Sequence, residues 1–86
     1  MGRYEEAIAA FKKSLQRAPN DLITHLHLTT TYVWAGRLNN ARTQVDEVLR
    51  INPKYSLEQV AKRPLYRNQA DQERYLDALR KAGLPE

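Results

Sequence analysis

The chain has 86 residues, of which 42% are hydrophobic and 28% charged, as is ordinary for a globular protein. It contains no cysteine, which excludes disulfide bonds and thiolate metal sites, and no apolar run approaches the ~20 residues that span a bilayer. The net charge is +4, but acidic residues are interspersed with the basic ones, as on solvated helix faces. We therefore expect one small, soluble, cytoplasmic domain that binds neither nucleic acid nor membrane.

Apolar residues at helical spacing predict three helices in the first part of the chain. The first helix, over about residues 4–18, ends before Pro19, because proline disfavours a helical residue in front of it. The second, over about 22–35, ends at Gly36, which permits a left-handed turn. It is apolar on more than one side, as expected for a helix enclosed by neighbours or open to a ligand on one face. The third helix is predicted over about 38–51.

Capping patterns predict two further helices in the C-terminal part of the chain. Ser56, with Gln59 three residues later, forms a capping-box pattern and predicts a short helix over about 57–63. Asn68 predicts the start of a last helix over about 69–82. No segment alternates between apolar and polar residues in the manner of a strand, so we expect an all-α fold.

The first and third helices carry the same residue types at positions that are 34 residues apart. In chain order, Gly36, Arg37, Ala41, Leu49 and Pro53 repeat Gly2, Arg3, Ala7, Leu15 and Pro19. A period of this length is typical of a helix–turn–helix unit, which cannot bury its apolar face without a neighbour. The sequence therefore predicts a stack of helix pairs that presents a surface to a partner.

Further positions carry a family signature, which reads His25-x2-Leu28-Thr29-x2-Tyr32, then Ala41-x3-Val45, then Pro53. This pattern resembles the tetratricopeptide repeat, although His25, Thr29 and Val45 depart from the usual residue types. The resemblance covers about residues 2–55. It implies an all-α solenoid fragment of one and a half repeats over 1–55, a C-terminal capping segment over 56–86, and a function in protein–protein interaction.

The tail over residues 51–86 resembles the end of bacterial proteins that join a class III adenylate/guanylate cyclase domain to C-terminal tetratricopeptide repeats. Similar tails follow winged-helix regulator domains. Since the first helix of the leading repeat is missing, we expect this chain to be the C-terminal part of a longer protein. The resemblance implies a cytoplasmic module that regulates an attached domain or supports self-association, and a standalone adaptor is the alternative. No position here corresponds to a catalytic residue of the cyclase.

The resemblance also implies where a partner binds, because the first helix of each repeat lines the concave face. On the second helix of this chain, the positions expected to form that groove are Ile23, Leu26, Thr30, Val33 and Trp34. Their apolar or hydroxyl-bearing side chains suit an apolar helix or an extended peptide, and not a carboxylate clamp. The alternative, which we favour, is that Ile23, Leu26 and Trp34 pack on a preceding helix or on the tail helix.

The leading helix predicts a face for self-association. Without a preceding helix, an apolar stripe would be partly uncovered and would favour a homodimer; it consists of Tyr4, Ile8, Phe11 and Leu15.

Catalytic, metal and cofactor sites are not expected in this chain. His25 and His27 would project about 200° apart on a helix, so they cannot share a metal ion, and no nucleophile and base can be paired. We expect His25 to fill an aromatic position between helices and His27 to face solvent or the groove.

Four basic residues cluster near the short helix, namely Lys54, Lys62, Arg63 and Arg67. A docking patch for an acidic surface is one interpretation of this cluster, but we favour a solvated loop, because long basic side chains commonly extend over apolar surface.

Overall fold

A computed structural model of the chain describes residues 3–63 and 67–86, and these residues form five α-helices and no strand. In chain order the helices are α1 (Arg3–Arg17), α2 (Leu22–Trp34), α3 (Leu38–Ile51), α4 (Leu57–Lys62) and α5 (Gln69–Ala82). The predicted all-α fold is confirmed. Each helix begins and ends within one residue of the bounds predicted from the sequence.

Helix α2 lies at the centre of the fold. Helices α1 and α3 pack against it, as expected for neighbours in a helical repeat, and α5 packs against a further side. Eight of its 13 residues are buried, among them Leu28 and Tyr32. The apolar composition of α2 on more than one side therefore reflects three neighbouring helices.

Three consecutive threonines are tolerated in α2 because each hydroxyl has a hydrogen-bond partner. Thr29 Oγ1 donates to the carbonyl of His25 at 2.7 Å. Thr30 Oγ1 and Thr31 Oγ1 both donate to the carbonyl of His27, at 3.0 Å and 2.7 Å. Bonds to the preceding turn satisfy these hydroxyls inside the core, so burial outweighs the weak helix propensity of β-branched residues.

Several ends of the helices follow local signals. Gly36 and Gly83 have φ values of +79° and +102°, which favour glycine even though a Cβ would meet no atom within 4 Å at either position. The Asn68 side chain accepts hydrogen bonds from two backbone amides at the start of α5. Ser56 precedes α4 as predicted, but its side chain makes no capping hydrogen bond. The helix start was therefore predicted correctly, whereas the hydrogen bond expected of a capping box is absent.

The C-terminal segment folds back onto the repeat. Helix α5 packs against α2, α3 and α4, and the amide of Leu57 donates to the carbonyl of Pro85 at 2.8 Å. This packing completes the core, to which α5 contributes the buried side chains of Tyr75, Ala78, Leu79 and Ala82. None of the helices that the structure describes has both the length and the apolar character needed to cross a membrane.

Candidate functional site

The residues predicted to line a partner groove differ widely in their exposure. Leu26 and Thr30 are each only 1% exposed, Val33 and Trp34 are half-buried, and Ile23 is 41% exposed. Leu26 and Thr30 therefore do not line an open groove in this structure, because α1, α3 and α5 enclose the helix that carries them. Of the predicted groove, Ile23, Val33 and Trp34 retain accessible surface.

The C-terminal end of α2 is covered by a contact that joins three helices. The guanidinium carbon of Arg74 in α5 lies 4.4 Å from the centre of the Trp34 ring. The ring of Tyr4 in α1 lies 6.4 Å from Trp34, and Arg74 Nη2 donates to the Tyr4 hydroxyl at 3.3 Å. Cation–π and hydrogen-bond contacts of this kind hold α5 against the position at which the groove was predicted.

His27 connects the same three helices at a second point. Its ring stacks on Phe11 of α1 with a centroid distance of 5.8 Å and meets the edge of Tyr75 of α5 at 5.7 Å. The Tyr75 hydroxyl lies 3.3 Å from His27 Nδ1 and donates to it when the neutral ring carries its proton on Nε2. His27 was expected to face solvent or to line the groove; its ring is half-buried and packs against α1 and α5, so only part of its surface is accessible.

This environment predicts a pH-dependent stability. Burial lowers the pKa of His27 below its ordinary value of 6.5, and the negative charge of Asp21 partly opposes that shift. The unfolded chain therefore binds the proton more readily, and stability that is present above pH 6.5 is lost as the pH falls below it. We expect urea denaturation to show a smaller free energy of unfolding at about pH 5.5 than at about pH 7.5. His27→Gln should reduce this difference, and an unchanged difference in that variant would contradict the assignment to His27.

The stripe predicted for self-association is partly covered. Ile8 is 4% exposed, Phe11 and Leu15 are half-buried, and Tyr4 is 37% exposed. Helix α1 packs against α2, and this contact buries part of the stripe. The prediction of a partly uncovered stripe is therefore corrected for Ile8, which is buried, whereas Tyr4, Phe11 and Leu15 retain accessible surface.

His25 occupies a buried position between elements, as expected. Its side chain is 4% exposed, and its Nε2 donates to the carbonyl of Pro19 at 2.8 Å. Its Nδ1 lies 2.7 Å from Oε1 of Gln44 in α3. Both ring nitrogens are thus engaged in joining α2 to its neighbours. Over residues 3–63 and 67–86, the side chains form no cluster of three or more groups suited to a metal ion.

A cavity of about 580 Å³, here called the α2–α4 cavity, opens between the start of α2 and helix α4. It is lined by Leu22, Ile23, Tyr55, Gln59, Val60, Lys62 and Arg63. This cavity was not predicted from the sequence, because its two sides are more than 30 positions apart in the chain and meet only in the folded structure. Two signals were present in the sequence, namely an apolar residue at position 23 and the basic residues near α4.

Comparison with known proteins identifies the family. The sequence model of the tetratricopeptide repeat family matches residues 1–63. This match extends past residues 2–55, over which the resemblance was stated from the sequence, and it includes α4. No curated protein and no solved structure matches the chain. Because this match covers most of the chain, and α1 to α3 pack as successive helices of a repeat, the chain belongs to the tetratricopeptide repeat family.

Proposed function

We propose that this chain is a protein-interaction module that receives its partner at the surface around Ile23, at the start of α2. Membership of the tetratricopeptide repeat family suggests protein partners, and such repeats are generally non-catalytic. The observation that carries the proposal is the exposure of Ile23. This large apolar side chain is 41% exposed beside a cavity, on a helix that is otherwise mostly buried. A concave site lined mainly by apolar side chains with a few polar groups is typical of a binding site.

The remaining groove residues have a secondary role in this proposal. Val33 and Trp34 are half-buried, and a partner that used the Trp34 ring would have to displace Arg74 of α5 from it. Leu26 and Thr30 are buried in the core and would become accessible only if a helix packed on α2 moved away. The partner surface around Ile23 requires no such rearrangement.

Site-specific crosslinking tests this proposal. A photoreactive amino acid at position 23 should crosslink the chain to a defined partner protein in the source cell, because that side chain is exposed at the proposed surface. The same amino acid at position 42, which is exposed on α3 and does not line the cavity, is the matched control. If positions 23 and 42 yield the same products, or if neither yields a product, the proposed surface is wrong.

We also propose that the module belongs to a larger bacterial signalling protein such as an adenylate/guanylate cyclase, where it regulates the attached domain or supports self-association. The resemblance of the tail over residues 51–86 supports this setting. A standalone adaptor and a winged-helix transcriptional regulator are the alternatives. A homodimer through α1 would have Tyr4 as its main apolar contact, since Ile8 is buried.

The mass of the native protein distinguishes these settings. Antibodies against residues 75–86 should recover a protein several times larger than this chain, with peptides that identify the attached domain. Recovery of a protein with the mass of the chain itself would instead support the standalone adaptor.

A further inference from the structure

We propose that the α2–α4 cavity binds an acidic peptide segment of the partner protein. One large apolar side chain of the peptide enters the cavity, and neighbouring carboxylates meet Lys62 and Arg63. This inference rests on the proposed function, since it names the kind of segment that the surface around Ile23 receives.

The apolar part of the cavity comes from two elements. Ile23 and the half-buried Leu22 contribute the side formed by α2, and the half-buried Tyr55 and the 2% exposed Val60 contribute the opposite side. A volume of about 580 Å³ falls within the ~300–1,000 Å³ range of ligand pockets and can admit one or two large side chains. The shape and lining therefore suit an apolar anchor.

The charged part of the cavity is positive. Lys62 and Arg63 are both exposed, and no acidic side chain is found among the described residues that line the cavity. Lys62 Nζ lies 3.3 Å from Glu58 Oε1, but both side chains are 70% exposed, so this pair is weak and can exchange for a carboxylate of the partner. The charge of Arg63 acts on the Tyr55 hydroxyl, where it opposes the rise in the pKa of Tyr55 that burial causes.

Two acidic residues lie near this surface but do not line the cavity. Glu58 is paired with Lys62, as described above. Asp21 precedes α2, and its Oδ2 accepts a hydrogen bond from Thr24 at 2.9 Å. Charge complementarity therefore favours a peptide whose carboxylates meet Lys62 and Arg63 at the end of α4.

Other occupants fit this surface less well. A second copy of the chain carries a net charge of +4 and would bring like charge towards Lys62 and Arg63. The C-terminus of the chain is already held elsewhere, because Leu84 is 3% exposed and Pro85 accepts a hydrogen bond from the Leu57 amide. An acidic segment from a different protein is therefore the occupant that the described residues favour.

Selection from an unbiased peptide library displayed on phage, with the intact chain as bait, tests this inference. We expect the enriched peptides to combine a large apolar residue with neighbouring aspartate or glutamate. Fluorescence polarisation of a labelled enriched peptide should show about tenfold weaker binding to the double variant Lys62→Glu/Arg63→Glu. Binding should also weaken by about tenfold when serine replaces the apolar residue of the peptide.

The matched control reverses two charges outside the cavity. Lys13→Glu/Arg42→Glu changes exposed residues of α1 and α3 that do not line the cavity, so binding should change by less than about twofold. Circular dichroism of both double variants establishes that they retain the helical fold. Binding that falls equally in the two variants would indicate a general response to net charge and would overturn the inference.

The remaining outcomes separate this inference from the proposed function. Enriched peptides without acidic residues, peptides that bind Lys62→Glu/Arg63→Glu at full strength, or a selection that enriches nothing would each overturn the inference. If crosslinking at position 23 still identifies a partner in those cases, the proposed function stands without the acidic-peptide site. If crosslinking fails as well, both proposals are wrong.

Discussion

Tyr75→Ala is expected to lower the free energy of unfolding by about 3–5 kcal/mol, which is the usual effect of removing a buried aromatic ring. Tyr75 is 0% exposed and brings its ring edge and its hydroxyl to His27. A domain of 86 residues has a total stability of about 4–13 kcal/mol, so this loss is a large fraction of the whole. Urea denaturation followed by circular dichroism measures it.

Two variants control for the position of Tyr75 on α5. Tyr75→Phe keeps the ring and removes the hydroxyl, so we expect a loss of about 1 kcal/mol. Glu73→Ala changes an exposed residue of the same helix and should alter stability by no more than about 0.5 kcal/mol. If Tyr75→Ala were as stable as Glu73→Ala, the packing of α5 on α2 would contribute nothing to the fold, contrary to the structure.

The single tryptophan reports whether α5 remains in place. Trp34 is half-buried under Arg74 of α5, so release of that helix would expose its ring to water. In the folded fraction of Tyr75→Ala, we therefore expect the fluorescence emission of Trp34 to shift to longer wavelength. Unchanged emission would indicate that the rest of α5 keeps its position without the Tyr75 ring.

Leu26→Ala and Ile23→Ala are expected to have very different effects, although the two residues lie on one helix and were predicted to share one groove. Leu26 is 1% exposed, so its truncation should reduce the free energy of unfolding by about 2–5 kcal/mol. Ile23 is 41% exposed, so its truncation should change stability by no more than about 0.5 kcal/mol. Parallel urea denaturation curves measure both values.

This pair separates a core residue from a binding residue. Truncation of Ile23 should weaken binding of the partner peptide while leaving the fold intact, because the side chain lines the α2–α4 cavity. Truncation of Leu26 should act on the fold, because α1, α3 and α5 enclose α2. Equal and small effects of both on stability would instead mean that α5 leaves Leu26 accessible in solution.

The helix ends of this protein could be predicted from short stretches of sequence. Pro19 disfavours a helical residue in front of it, Gly36 allows the left-handed turn, and Asn68 offers a side-chain oxygen to the first amides of α5. Each signal acts within a few residues, so it does not depend on the rest of the fold. The recurrence of residue types after 34 positions likewise sufficed to predict stacked helix pairs.

Exposure on α2 depends on contacts between distant parts of the chain. Ile23 and Leu26 are both large and apolar and lie three positions apart, and nothing local shows that one is exposed and the other buried. That difference arises because α2 has α1, α3 and α5 as neighbours, and α5 begins only at residue 69. The α2–α4 cavity likewise requires Ile23 and Arg63 to meet across the fold. Local conformational preferences therefore specify the helices, whereas the choice of core and binding residues follows from how the helices pack.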